Sequence, residues 1–152
     1  MTTTITLAFL HHAAAFLLVA VATVELVLLR GELTVSSART LLRMDAAYGI
    51  SAGVVLVAGL LRVFYTEKGA AYYFASGTFI AKMALFVAVA LLSIYPTIQF
   101  MRWRRVLKQQ QTPVLAPERQ RTLRMILHVE LVLLLGMMLC AAMRARGIGF
   151  LG

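Results

Sequence analysis

Three basic side chains within apolar segments could do chemistry: His11, His12 and Lys82. Imidazole and the neutral lysine amine are nitrogen donors that can ligate a metal. At a rise of about 1.5 Å per residue, membrane helices here would place the histidines about 9–10 Å below the membrane surface. Lys82 would lie about 7–8 Å below the same surface, with the start of its apolar run, near residue 73, beyond the bilayer. Equal depth on two helices that run in the same direction predicts that these side chains meet. Adjacent residues are about 100° apart around a helix, so His11 and His12 cannot both face Lys82.

A second group of ionisable residues lies towards the other ends of the apolar segments: Glu25, Asp45, His128 and Glu130. Ionisable groups inside a bilayer are costly, and they commonly mark proton relays or transport pathways. We expect Glu25 to be buried and paired with Arg43 or His128, because an unpaired buried charge is expensive. Asp45 is expected to cap the start of a helix. As a set, these groups suit a proton-coupled carrier.

Each candidate also has a purely structural interpretation. The stem of Lys82 can extend so that its ammonium group reaches the lipid headgroups. The histidine pair can simply form hydrogen bonds between helices. Glu25 can pair with Arg30 or Arg43 near the membrane surface.

Composition shows which elements must position these residues. The chain has 152 residues, of which 61% are hydrophobic and 14% charged, and its mean hydropathy is +0.86. Soluble domains are about 45–50% apolar, and one small core cannot bury so much apolar surface. This excludes a soluble enzyme, a disordered chain and a disulfide scaffold, since Cys140 has no partner for an internal disulfide. The sequence also lacks the Gly-rich phosphate loop, the Cys-x-x-Cys motif and the His-Glu-x-x-His motif.

Four apolar runs are long enough to cross a bilayer, which takes about 20 residues. They cover about 5–29, 46–64, 73–101 and 123–143. The alternation of apolar and polar residues that is typical of membrane strands is absent. Residues 1–4, which precede the first run, have no charged side chain, so this end does not resemble a signal peptide. We therefore predict one transmembrane domain over 1–152, an all-α integral membrane four-helix bundle with a flexible cytoplasmic linker at about 105–121. Gly49 and Gly53 form a small-xxx-small motif, which predicts that the second helix is tightly packed.

Basic residues concentrate in the third loop, where seven of them accompany a single acidic residue: Arg102, Arg104, Arg105, Lys108, Arg119, Arg121 and Arg124. Cytoplasmic loops collect Lys and Arg, so this loop is predicted to face the cytoplasm and both termini to face outward. Contact with anionic lipid headgroups explains the net charge of +9. No nucleic-acid partner is expected, and the predicted location is a lipid bilayer.

Several segments resemble a bacterial family of predicted membrane proteins, the DUF2214 group. They are HHAAAF (11–16), ELVLLR (25–30), DAAYG (45–49), GLLRVFY (59–65), EKG (67–69) and FIAKMALF (79–86). The resemblance covers most of the chain. It implies a multi-pass membrane protein and brings no established activity.

A histidine early in the first helix and KMAL (82–85) early in the third are similar to the four-helix membrane protoporphyrinogen oxidases that hold haem b. In that family these two positions supply the axial ligands. The resemblance implies that His11 or His12, together with Lys82, ligates haem iron here. Arg62 or Lys68 would then meet the propionates, because cationic side chains pair with carboxylates. Helices two and four depart from that family.

The sequence therefore favours a small inner-membrane protein that binds haem b for electron transfer or oxidase-like redox chemistry. One alternative is a small proton-coupled carrier. The other is a non-catalytic accessory subunit, in which the polar groups are structural and the chain joins a homo-oligomer or a larger membrane complex.

Overall fold

The chain folds as a bundle of long helices. The computed structural model describes residues 2–65 and 73–146. In chain order, the helices there are α1 (Thr2–Leu28), α2 (Val35–Tyr65), α3 (Gly77–Arg102), α4 (Arg104–Lys108) and α5 (Pro117–Ala145). Four stretches among them are long and apolar enough to cross a membrane: Thr3–Leu28, Val35–Tyr65, Gly77–Lys108 and Pro117–Met143. The all-α, four-helix membrane fold predicted from hydropathy is confirmed.

The helices pack as two pairs. α1 packs mainly against α2, and α3 mainly against α5, while α1 also contacts α5. One apolar core surrounds Leu26, Phe100 and Leu127, where α1 and α3 end and α2 and α5 begin. We call this end of the bundle, formed with residues 29–34 and 103–116, the basic end. A second core around Leu18 and Leu134 lies nearer the middle of the bundle.

The outer surface of the bundle is apolar. Each long helix exposes large hydrophobic side chains, such as Phe9 on α1, Ile50 on α2, Leu91 on α3 and Val132 on α5. Soluble monomers rarely expose apolar surface this extensive. A lipid bilayer is the environment in which such a surface is stable.

The second helix begins at Val35 rather than at residue 46. Thr34 and Ser37 form a capping box at its start, in which the Ser37 amide donates to Thr34 Oγ1 at 3.1 Å and the Thr34 amide donates to Ser37 Oγ at 2.8 Å. The helix therefore extends past the apolar run into the charged region. Asp45 lies well inside it, so the expectation that Asp45 caps the helix is wrong.

The predicted linker is shorter than its composition indicated. Helix α4 occupies residues 104–108, and α5 begins at Pro117, where proline is favourable because its missing N–H has no partner in a first turn. The segment between these helices is 109–116, rather than 105–121. Within it, Gln110 adopts a left-handed backbone conformation with φ 57°.

The glycines of α2 do not pack as the motif predicted. A Cβ atom added at Gly49 or Gly53 would meet nothing within 4 Å, so the small-xxx-small motif faces away from the other helices. Close packing occurs at Gly59 instead, where an added Cβ would lie 3.3 Å from Cε1 of His11. This contact brings α2 against the first of the candidate side chains.

Candidate functional site

His11 and Lys82 meet in the half of the bundle away from the basic end. His11 projects from α1 and is buried, with 8% of its surface exposed, while Lys82 projects from α3 and is half-buried. The distance between His11 Nε2 and Lys82 Nζ is 3.4 Å. His11 and Lys82, which the sequence placed at similar depth on two helices, are therefore in contact in the structure.

A hydrogen bond orients the His11 ring. Its Nδ1 lies 3.0 Å from the carbonyl oxygen of Val55 on α2. A carbonyl only accepts, so Nδ1 carries the proton and donates it, which leaves the lone pair of Nε2 directed towards Lys82. Gly59, one turn further along α2, has no side chain to displace the ring. The sequence analysis did not connect Val55 or Gly59 with this site, because a backbone acceptor carries no residue-type signal.

His12 has a different orientation. Its side chain is exposed, and its Nδ1 lies 2.6 Å from the carbonyl oxygen of Ala8 in the preceding turn of the same helix. The two histidine rings are perpendicular, with centroids 5.8 Å apart. Of the two histidines, His11 is the one in contact with Lys82.

A cavity of about 1120 Å³ adjoins the His11–Lys82 pair. Its walls come from α1, α2, α3 and α5, and they are mainly apolar, including Phe79, Phe86 and Met137. Arg62 on α2 also lines it and supplies a guanidinium group. Lys68, the other residue predicted to meet propionates, lies outside the described residues.

A second set of polar groups is buried nearer the basic end. Glu25 on α1 is 2% exposed, Glu130 on α5 is 1% exposed, and Tyr48 on α2 is 5% exposed. Glu25 is close enough to Glu130 and Asp45 for their charges to interact, and the Tyr48 hydroxyl faces the Glu130 carboxyl group. We call Glu25, Glu130 and Tyr48 the inner cluster. The sequence analysis did not single out Tyr48, although it lies one turn after Asp45 in an apolar run.

Buried oxygen atoms of the inner cluster lack hydrogen-bond partners. Oε1 of Glu25, Oε1 of Glu130 and the Tyr48 hydroxyl are all buried, and none has a hydrogen-bond partner of good geometry among the described residues. Buried polar atoms are normally hydrogen-bonded, so three orphaned oxygens in one place require an explanation.

The cations expected at Glu25 lie elsewhere. His128 is exposed, and its Nε2 lies 3.2 Å from Nη2 of Arg30. Arg43 is also exposed. Glu25 is buried as predicted, but its charged neighbours are the acidic Asp45 and Glu130. The expected pairing with Arg43 or His128 is therefore wrong. Rotation about the helix axis, which sequence depth does not specify, turns these cations away.

Asp45 is held by a neutral partner. It is half-buried, and its Oδ1 accepts a hydrogen bond from Thr97 Oγ1 on α3 at 2.7 Å. Arg104 on α4 is near enough to attract its charge. Asp45 therefore lies between the inner cluster and the charged groups of the basic end.

Within residues 2–65 and 73–146, no group of three or more His, Cys, Asp or Glu side chains could hold a metal ion. The His11–Lys82 pair supplies two nitrogen donors. Two donors do not make a protein-only metal site of the usual three or four ligands. They suit a metal that arrives with its remaining ligands.

Comparison with known proteins places the chain in a family. A family model described as "Predicted membrane protein (DUF2214)" matches residues 3–149. No curated protein and no solved structure matches the chain.

Proposed function

The chain belongs to this family of predicted membrane proteins, and on that premise we propose that it is a multi-pass protein of the bacterial inner membrane that binds haem b. His11 and Lys82 would hold the haem iron, and the protein would serve electron transfer or oxidase-like redox chemistry. The observation that carries the proposal is the 3.4 Å approach of His11 Nε2 to Lys82 Nζ beside a cavity of about 1120 Å³.

The two side chains have the chemistry that axial ligation requires. His11 presents Nε2 because its Nδ1–H is committed to the Val55 carbonyl. Metal-ligating histidines typically donate their other ring N–H to such an acceptor, which fixes the ring. Lys82 faces the same point from α3, and to ligate a metal it must present its neutral amine. With His11 and Lys82 as its protein ligands, haem would supply one-electron redox chemistry, and the residues that hold it would tune its potential.

The surroundings fit a large, flat, mostly apolar group. The cavity exceeds the roughly 300–1,000 Å³ of ordinary small-molecule sites. Arg62 supplies a guanidinium for a propionate, and Lys68 is proposed for the same role.

The proposed orientation places both termini outside the cytoplasm. Its support is the concentration of Lys and Arg at the basic end. In a Cys140→Ala background, Thr3→Cys should react with an impermeant thiol reagent applied from outside. Gln110→Cys should react only after permeabilisation. The reverse pattern would overturn the orientation without affecting the haem site.

The ligand assignment is tested by the visible spectra of variants purified from haem-replete cells. His11→Ala and Lys82→Ala should each lose or strongly shift the Soret band, because each removes one axial nitrogen. His12→Ala is the matched control, since that ring bonds within its own helix. His128→Ala is a remote control at the basic end. Both controls should keep the wild-type spectrum.

Other outcomes count against the proposal. A Soret band that survives both His11→Ala and Lys82→Ala unchanged would show that haem is bound elsewhere. A wild-type protein that is colourless and cannot be reconstituted with haem would contradict haem binding altogether. Proton-coupled flux in liposomes would then favour the carrier, and stable copurification with one large complex would favour the accessory subunit.

A further inference from the structure

We propose that the inner cluster is a proton-binding site, in which the buried Glu25 and Glu130 side chains together carry at least one proton at neutral pH, beside the Tyr48 hydroxyl. The site is separate from the His11–Lys82 pair and does not depend on haem. Its ligand is the proton, bound on carboxyl oxygens inside the membrane-spanning part of the bundle.

The geometry that supports this site comes from three helices. Glu25 on α1, Tyr48 on α2 and Glu130 on α5 converge in the interior, and each is more than nine-tenths buried. The Tyr48 hydroxyl lies near the Glu130 carboxyl group, and it has no hydrogen-bond partner among the described residues. A buried phenol this close to a carboxyl group can donate a hydrogen bond to an oxygen that lacks a proton after a small movement of the side chains.

Charge balance requires the proton. Two carboxylates that are near each other in a water-poor interior repel, and each loses the hydration that stabilises its charge. Among the described residues, the charged neighbours of the two glutamates are acidic, and none is a cation. Arg30 lies against the exposed His128, and Arg104 interacts with Asp45. Asp45 adds a further negative charge from α2. From α3, the neutral Thr97 bonds to Asp45. A proton on either glutamate neutralises one of the two charges and so removes the repulsion between them.

A proton fits the donor set better than a metal ion does. Among the described residues, the acidic side chains do not converge as a group of three that could hold an ion. Hard cations such as Ca²⁺ take six or more oxygen ligands, and Mg²⁺ requires an octahedral shell. A proton needs only one carboxyl oxygen to bind it, and the inner cluster supplies two carboxyl groups.

The test is infrared spectroscopy of the full-length protein in detergent or lipid at pH 7, without added divalent cations. A protonated carboxylic acid has a C=O stretch that a carboxylate lacks. The wild-type protein should show this band, and ¹³C-labelling of glutamate should shift it. The labelling step uses unaltered protein, so it tests the proposal even if substituted variants do not fold. A band that shifts only with labelled aspartate would assign the proton to Asp45 and overturn the proposal.

Paired variants locate the proton. The double variant Glu25→Gln/Glu130→Gln should lose the band. The matched control Glu32→Gln/Glu118→Gln removes two exposed glutamates and should keep it. Absence of the band from wild-type protein at pH 7 would show that both carboxyl groups are ionised and would refute the site. Carboxylate bands that shift on addition of Ca²⁺ or Na⁺ would show that the site binds a cation instead of a proton and would refute the proposal.

Discussion

Replacing Glu25 with leucine should stabilise the protein, although it removes an ionisable group from the membrane interior. Glu25 is 2% exposed, its Oε1 has no hydrogen-bond partner among the described residues, and its electrostatic neighbours are Asp45 and Glu130. Leucine is similar in volume, and the α1 residues around this position, such as Leu26 and Ala22, are buried apolar side chains. The substitution therefore removes an unsatisfied oxygen from the interior without opening a large cavity.

The magnitude follows from the unpaired state of the carboxyl group. A buried polar group without a partner costs about 1–3 kcal/mol, and replacing buried ionic groups with hydrophobic ones commonly stabilises proteins by about 1–4 kcal/mol. We expect a gain of about 2 kcal/mol for Glu25→Leu. For a chain of this length, that gain raises Tm by roughly 4–8 °C.

Thermal unfolding of the detergent-solubilised protein measures the effect. Glu118→Leu is the matched control, because Glu118 is exposed in the first turn of α5 and a surface substitution changes stability by less than about 0.5 kcal/mol. A Tm that falls by several degrees in Glu25→Leu would refute the reasoning. That result would mean that Glu25 stabilises the fold through a partner, which loses its counter-group in the variant.

Two further substitutions test local contacts by the same assay. Gly59→Val should lower the free energy of unfolding by about 1–3 kcal/mol, because its Cβ would crowd the His11 ring. Gly53→Val, where the space is open, should cost less, and equal losses would contradict the close packing. Thr97→Val should cost about 1.5–3 kcal/mol by removing the 2.7 Å hydrogen bond to Asp45, whereas Thr97→Ser should retain most of the stability. An unchanged Tm in Thr97→Val would show that this bond contributes nothing.

Much of the fold was predictable because hydropathy and length determine membrane spans. Four runs of about 20 apolar residues predict four helices, and all four are present. The start of α2 was not predictable from hydropathy. Its first turns contain Arg39 and Arg43 and precede the apolar run. A capping box at Thr34 and Ser37 stabilises this charged start of the helix.

The sequence predicts how deep each candidate residue lies in the membrane, but it does not predict the direction in which the side chain points around its helix. Depth along a helix follows from residue number, so the meeting of α1 and α3 at His11 and Lys82 could be anticipated. Which histidine faces α3 depends on how α1 is rotated against α2, and the Val55 carbonyl and Gly59 decide that. The same uncertainty led to the wrong partner for Glu25, because depth placed it level with basic residues that point elsewhere.

Haem content is the measurement that tests the central claim most directly. The wild-type protein should be purified from haem-replete cells and assayed as the pyridine haemochromogen, with protein concentration determined independently. The His11–Lys82 site predicts b-type haem at about one per chain, reduced to a small fraction in Lys82→Ala that retains the wild-type helical content. A preparation that contains no haem and gains no Soret band on reconstitution would contradict the account.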